Sequence, residues 1–245
     1  MSDAAGRLRA VNETEFQERA AGVRAAVEAA AGEAGRDPAS VRILPVTKGF
    51  PPDVLRAVAG AGFDAVGENR VGEAEEKREM LGGLGVAWEM IGHLQRNKAA
   101  RGVRLFDRVD AVDSLRLARR LNAAAEAEGR PDLPVLVQVN ASGEQTKGGL
   151  PVDDAFGTIK RMCALPRVRV EGLMTMAPFG APESELREVF ARTRRCLELC
   201  RERIPGFTGE ELSMGMSGDF EIAILEGATQ VRLGTVLLGE RPGFA

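Results

Sequence analysis

Eight short apolar runs follow one another along the chain, each closed by polar or glycine residues and followed by a stretch of helical pattern. They cover residues 41–48, 63–66, 87–91, 106–112, 133–140, 168–174, 211–214 and 229–233. Their nearly continuous apolar content fits strands buried on both faces. Helical stretches are predicted over 53–60, 70–80, 94–101, 113–128, 152–164, 184–203 and 219–226, with one more, 13–31, ahead of the first strand. Strands and helices in strict turn leave a closed parallel barrel or an open doubly wound sheet. No G-x-G-x-x-G follows the first strand, which counts against the open dinucleotide-binding sheet. A chain of 245 residues without an evident linker has the size of one barrel. The expected fold is α/β, a single (β/α)8 TIM-type barrel with an extra N-terminal helix, forming one domain over residues 1–245.

Local signals support this order. Phe16, Ala20, Val23 and Val27 recur at helical spacing, and Gly35 to Pro38 stop that helix. Asp53 is expected to cap the second helix, and Asp113 with Ser114 the helix to Glu128. The 70–80 helix carries Glu73, Glu75, Glu76 and Lys77 and reads as a solvated face. Glycine-rich loops are expected at 82–85 and 141–149.

Several functions are disfavoured by composition. A net charge of -3 and a pI near 5.5 give no support for nucleic-acid binding or a membrane surface. No apolar run is long enough to span a bilayer. Residues 1–12 carry Arg7 and Arg9 but no apolar signal core, so a cytoplasmic location is expected. With 3 cysteines and 1 histidine, neither a disulfide framework nor a metal site is expected. Cys163, Cys196 and Cys200 read as buried thiols.

In a barrel the carboxyl ends of the strands converge on one mouth. Here that list runs Lys48, Glu68 and Asn69, His93 and Gln95, Asp113, Asn140, Met174 and Met176, Ser213 to Ser217, and Arg232 to Thr235. Each member also has a plain structural explanation: caps, turn residues, core methionines. Lys48 stands out because the chain is arginine-rich and keeps few lysines, and only an amine forms a Schiff base. Partial burial at a strand end would lower its pKa and make it a nucleophile toward aldehydes. Small residues at Ser213 to Asp219 and at Gly234-Thr235 form two cradles after the last two strands, the usual phosphate corner of such barrels. A reactive lysine and a phosphate cup point to pyridoxal 5′-phosphate (PLP). Arg232 would then meet the ring nitrogen and keep it unprotonated, which weakens the ring as an electron sink.

The motifs Val46-Thr47-Lys48, Gly67-Glu68-Asn69, Ile91 to Lys98, Val137 to Asn140 with Glu144 and Lys147-Gly148-Gly149, Gly172 to Ala177, Leu212 to Ser217, Val231 to Thr235 and Gly239-Glu240-Arg241 together resemble the PLP homeostasis protein family, over nearly the whole chain. The resemblance implies a barrel similar to the N-terminal domain of alanine racemase, with PLP held as a Schiff base on Lys48. It implies that Ser217, Gly234 and Thr235 hold the phosphate, that Arg232 faces the pyridine nitrogen and that Asn69 lies near the cofactor. The sequence departs from the family's pattern at Glu89 and Met90 after Trp88, at Thr47 and at Val66.

Three functions compete. The first is a protein that holds PLP and buffers or delivers it, with apo PLP-dependent enzymes as acceptors and no catalytic residues of its own. The second is an amino-acid racemase, which needs a second base opposite the lysine; the chain has no tyrosine, and nothing points to His93 or a cysteine in its place. The third is a PLP-free Schiff-base aldolase. The first is expected, from a monomer whose only small-molecule ligand is PLP. Lys147, in the 141–149 loop, is expected to be solvated rather than to receive PLP.

Overall fold

The structure, a computed structural model, describes residues 13–81, 83–144 and 147–241. Residues 1–12, Gly82 in the first expected loop and residues 145–146 in the second lie outside them.

The wall is a parallel sheet of β1 (Arg42–Pro45), β2 (Ala65–Glu68), β3 (Ala87–Met90), β4 (Arg108–Val112), β5 (Leu133–Asn140), β7 (Val168–Met174), β8 (Glu211–Ser213) and β9 (Gln230–Leu233). A two-residue strand, β6 (Leu150–Pro151), pairs with the end of β5 off the ring. The order is β1-β9-β8-β7-β5-β4-β3-β2. A bridge between Val46 and Gly67 joins β1 to β2 and closes the circle, with the Thr47 N–H donating to Gly67 O at 3.1 Å. The fold is the expected (β/α)8 barrel.

Around it lie α2 (Val54–Gly60), α3 (Val71–Leu81), α4 (Ala99–Leu105), α5 (Leu115–Ala127), α6 (Ala155–Cys163), α7 (Glu183–Arg203), α8 (Phe220–Leu225) and α9 (Thr235–Leu238). Each turns an apolar stripe to the wall; in α5 it is Leu117, Ala118, Leu121, Ala124 and Ala125. Ser114 starts that helix by accepting from the Leu117 N–H at 3.2 Å. The extra N-terminal helix α1 (Glu13–Glu33) packs on α8 and α9. Arg36 fastens its end by donating to Ile224 O at 3.1 Å and Ala228 O at 2.8 Å.

The main apolar core lies between wall and helices. Inside the ring the filling is largely polar. The Arg108 guanidinium donates to Asp110 Oδ1 at 2.7 Å, Glu89 Oε2 at 2.8 Å and Gln230 Oε1 at 2.8 Å, and pairs with Glu211. Arg42 joins from β1, bonded to Glu89 and, at 3.0 Å, to Gln230 Oε1. Burial works against the charge of Arg108, yet Asp110, Glu89 and Glu211 together hold its pKa above the ordinary value. Buried charge is tolerated here because each group has several partners.

Five expectations change in detail. The first strand ends at Pro45, with Val46 in the closing bridge, because Gly49 takes φ 75° and turns the chain. Residues 94–101 form a 3-10 turn, Arg96–Lys98, before α4. Asp53 makes no side-chain cap bond. The α3 face is not simply solvated, since Lys77 is 2% exposed. Cys196 and Cys200 are buried, whereas Cys163 is partly exposed. Among the described residues no helix is long and apolar enough to cross a membrane.

Candidate functional site

A cavity of about 470 Å³ opens at the carboxyl ends of the strands. Lys48, Asn69, Ser217, Arg232, Gly234 and Thr235, drawn from four different βα junctions, all line it. Val46, Ile91, Met174, Met176, Leu186 and Met216 supply apolar wall. Phe179, fully exposed, stands on its rim.

Lys48 lies in the turn after β1 and is half-buried. Burial, then the guanidiniums of Arg241 and Arg232, push its amine below the ordinary lysine value, against the opposing pull of Glu68 and Glu73. At neutral pH this amine is a better nucleophile than an exposed lysine.

Arg232 is 3% exposed and makes no ion pair at hydrogen-bond distance among the described residues. Its Nη1 donates to Ser213 Oγ at 2.8 Å and its Nη2 to Thr175 O at 2.7 Å. Burial pushes its pKa down to about 10, with Asp110 and Asp219 working the other way. The guanidinium therefore stays charged at neutral pH, tied by both terminal nitrogens.

The anion corner lies where the loops after β8 and β9 meet. Among the described residues the N–H groups of Ser217, Gly218, Gly234 and Thr235 have no acceptor. Ser217 and Asp219 are not plain helix caps: Ser217 Oγ accepts from the Val236 N–H at 3.3 Å across the two loops, and Asp219 Oδ1 accepts from the Met216 N–H at 2.5 Å. Both bonds shape the loops, and N–H groups left without acceptors beside a cavity suit an anion. Asn69 reaches the mouth because residue 92 is glycine; a Cβ there would meet Asn69 Oδ1 at 2.2 Å and Asn69 O at 2.5 Å.

Other strand-end residues go elsewhere. His93 and Gln95 line a separate cleft with Asp113, whose Oδ2 lies 2.9 Å from His93 Nδ1. Asn140 organises its own turn, accepting from Ser142 Oγ and the Gly143 N–H and donating to Glu144 O and Lys147 O. Lys147 is not solvated as expected: its Nζ donates to Ala177 O at 2.5 Å and pairs with Glu144 at 3.2 Å. Sequence reasoning missed Arg241 as a wall of the cavity, and it missed the polar interior altogether. Polar residues two apart inside predicted strands, Arg108 with Asp110 and Gln230 with Arg232, were the available signal, because such pairs share one face.

The alanine racemase N-terminal domain family matches residues 25–242. The pyridoxal phosphate homeostasis protein of Pseudomonas aeruginosa is 41% identical over 224 residues, 91% of this chain and 95% of the relative. The solved structure of PipY from Synechococcus elongatus with PLP bound is 34% identical, with TM-score 0.81, covering 91% of this chain and all of that one. Clostridium difficile alanine racemase shares the fold at TM-score 0.70 and 17% identity, over 84% of this chain and 57% of its own. With a barrel, a lysine and an anion cup in this arrangement, and with relatives matched along nearly its whole length, the chain belongs to the pyridoxal phosphate homeostasis protein family.

Proposed function

We propose that this protein binds PLP as a Schiff base on Lys48 and buffers or delivers it without turnover, with apo PLP-dependent enzymes as the acceptors. The observation that carries the reading is the convergence, in one cavity, of a half-buried amine, a buried guanidinium and four backbone N–H groups unpaired among the described residues. These fit the cofactor group by group. Ser217, Gly218, Gly234 and Thr235 suit a phosphate. Arg232 Nε, which has no acceptor among the described residues, suits the pyridine nitrogen, and Asn69 a ring substituent. When bound, the cofactor would supply an aldehyde, and Lys48 would present its amine to it.

Arg232 favours storage over carbanion chemistry, because a guanidinium still protonated at neutral pH would donate to the ring nitrogen and leave it no proton. No tyrosine, histidine or cysteine lines the cavity among the described residues, so no second base of these types faces the lysine. Homeostasis, the word in the relatives' names, agrees with holding rather than converting. The apolar helix stripes are satisfied against the wall, which supports a monomer, and the proposed site of action is the cytoplasm.

The test is the visible spectrum of the purified protein titrated with PLP, beside Lys48→Ala. A band that borohydride fixes onto Lys48, absent from the variant, supports the reading. No band in the parent protein overturns it. Lys48-dependent racemisation of a free amino acid would replace buffering with catalysis.

A further inference from the structure

Lys48 sits between two residues that one buried ion cluster holds. Lys77, on the inner stripe of α3 with Val71, Ala74 and Leu81, spends its ammonium donors on Thr47 O at 2.7 Å, Glu68 Oε1 at 2.6 Å and Glu73 Oε1 at 2.8 Å. Glu73 Oε1 also accepts from the Gly49 N–H at 2.5 Å, and Thr47 Oγ1 donates to Glu68 Oε1 at 2.5 Å. Residues 47 and 49 are thus both tied to α3, while the side chain of residue 48 is left for the cavity. We propose that Glu73 and Lys77 are positioning residues for Lys48, fixing the backbone on both of its sides so that the amine is presented to the aldehyde of a bound ligand. The inference deepens the PLP reading and rests on it.

Two physical points favour positioning over plain stability. A buried ion cluster is an inefficient way to join a helix to a wall, since apolar side chains of equal volume do as well or better. The turn also contains Gly49 at φ 75°, a residue with much backbone freedom, so without a tether the segment carrying Lys48 would sample many orientations. Reaction of an amine with a bound aldehyde is sensitive to displacements of an ångström.

The test separates binding from bond formation. Pyridoxine 5′-phosphate has the ring and phosphate of PLP but an alcohol in place of the aldehyde, so it binds without bonding to Lys48. The full chain and its variants Glu73→Ala, Glu73→Gln and Lys77→Met are compared for affinity toward this analogue and for the rate of borohydride-fixable attachment of PLP. In Glu73→Ala and Lys77→Met the analogue's affinity is expected to stay within about threefold of the parent, while attachment slows by about tenfold or more. Glu73→Gln, which keeps an acceptor for Gly49, is expected to recover most of the rate. Should Lys77→Met fail to fold, Glu73→Ala carries the test, because Glu73 is partly exposed and Lys77 keeps Glu68 as its partner. Parental attachment rates in Glu73→Ala, or affinity and rate falling together, overturn the proposal. A parent protein that never attaches PLP overturns the functional reading instead.

Discussion

Arg232 Nη1 and Ser213 Oγ lie 2.8 Å apart on neighbouring strands, inside the barrel and just below the cavity. The same hydroxyl oxygen accepts from Gln230 Nε2 at 3.1 Å, and Gln230 Nε2 also reaches Asp110 Oδ2 at 3.1 Å. The guanidinium that lines the cavity is therefore oriented by a line of polar side chains that ends on Arg108 at the amino-terminal end of β4.

Ser213→Ala breaks that line at its narrowest point. It leaves a guanidinium N–H and an amide N–H buried without their acceptor, which costs about 1–3 kcal/mol. Urea unfolding should show this loss. PLP titration should show weaker binding, with Ser213→Thr recovering both.

Ser217→Ala removes one hydroxyl from the anion corner and, with it, the acceptor of the Val236 N–H that links the two loops. Loss of a single hydrogen bond to a charged group predicts PLP binding weaker by roughly tenfold. Inorganic phosphate should compete less well for the variant. At saturating PLP, borohydride should still fix the ligand to Lys48, since the amine is untouched.

The rate of PLP attachment should rise with pH as Lys48 loses its proton. Burial and the neighbouring guanidiniums both penalise the ammonium, so the midpoint should lie below the ordinary lysine value of about 10.4. Arg241→Met removes the larger of the two guanidinium effects, and its midpoint should move upward. A stopped-flow pH profile of both proteins checks the sign; an unchanged or lowered midpoint in Arg241→Met would contradict it.

Gly92→Ala puts a methyl group against the Asn69 backbone. Relief of that contact requires a backbone shift, with an expected loss of about 1–3 kcal/mol in stability. Thermal unfolding should register it, and affinity for PLP should fall as Asn69 is displaced from the mouth.

The legible parts of the chain were those governed by local pattern. β5 begins and ends where its run does, because a strand covered on both faces needs nearly continuous apolar content. The six proposed ligand contacts could be read because barrel topology brings strand ends together whatever the sequence distance. Lys77 was misread as solvated because its charge outweighed its position, although spacing from Val71 and Ala74 puts it on the inner stripe of α3. The polar interior was invisible for another reason. Arg108 and Gln230 are 122 residues apart, and only register across the closed ring makes them neighbours.

The closure of the ring is lopsided, and this bears on how the site holds its ligand. β1 is laddered to β9 over four residues but meets β2 through one bridge. Lys48, after β1, and Gly234 with Thr235, after β9, are thus carried on the same panel of the wall. On its other side β9 meets β8 at one register pair, Ser213 with Gln230, so the β1–β9 ladder is flanked by two sparse junctions. Local opening concentrates where few backbone bonds must break, so a shift of that panel as one piece would leave the span from Lys48 to Gly234 and Thr235 unchanged while the rest of the rim moved around it.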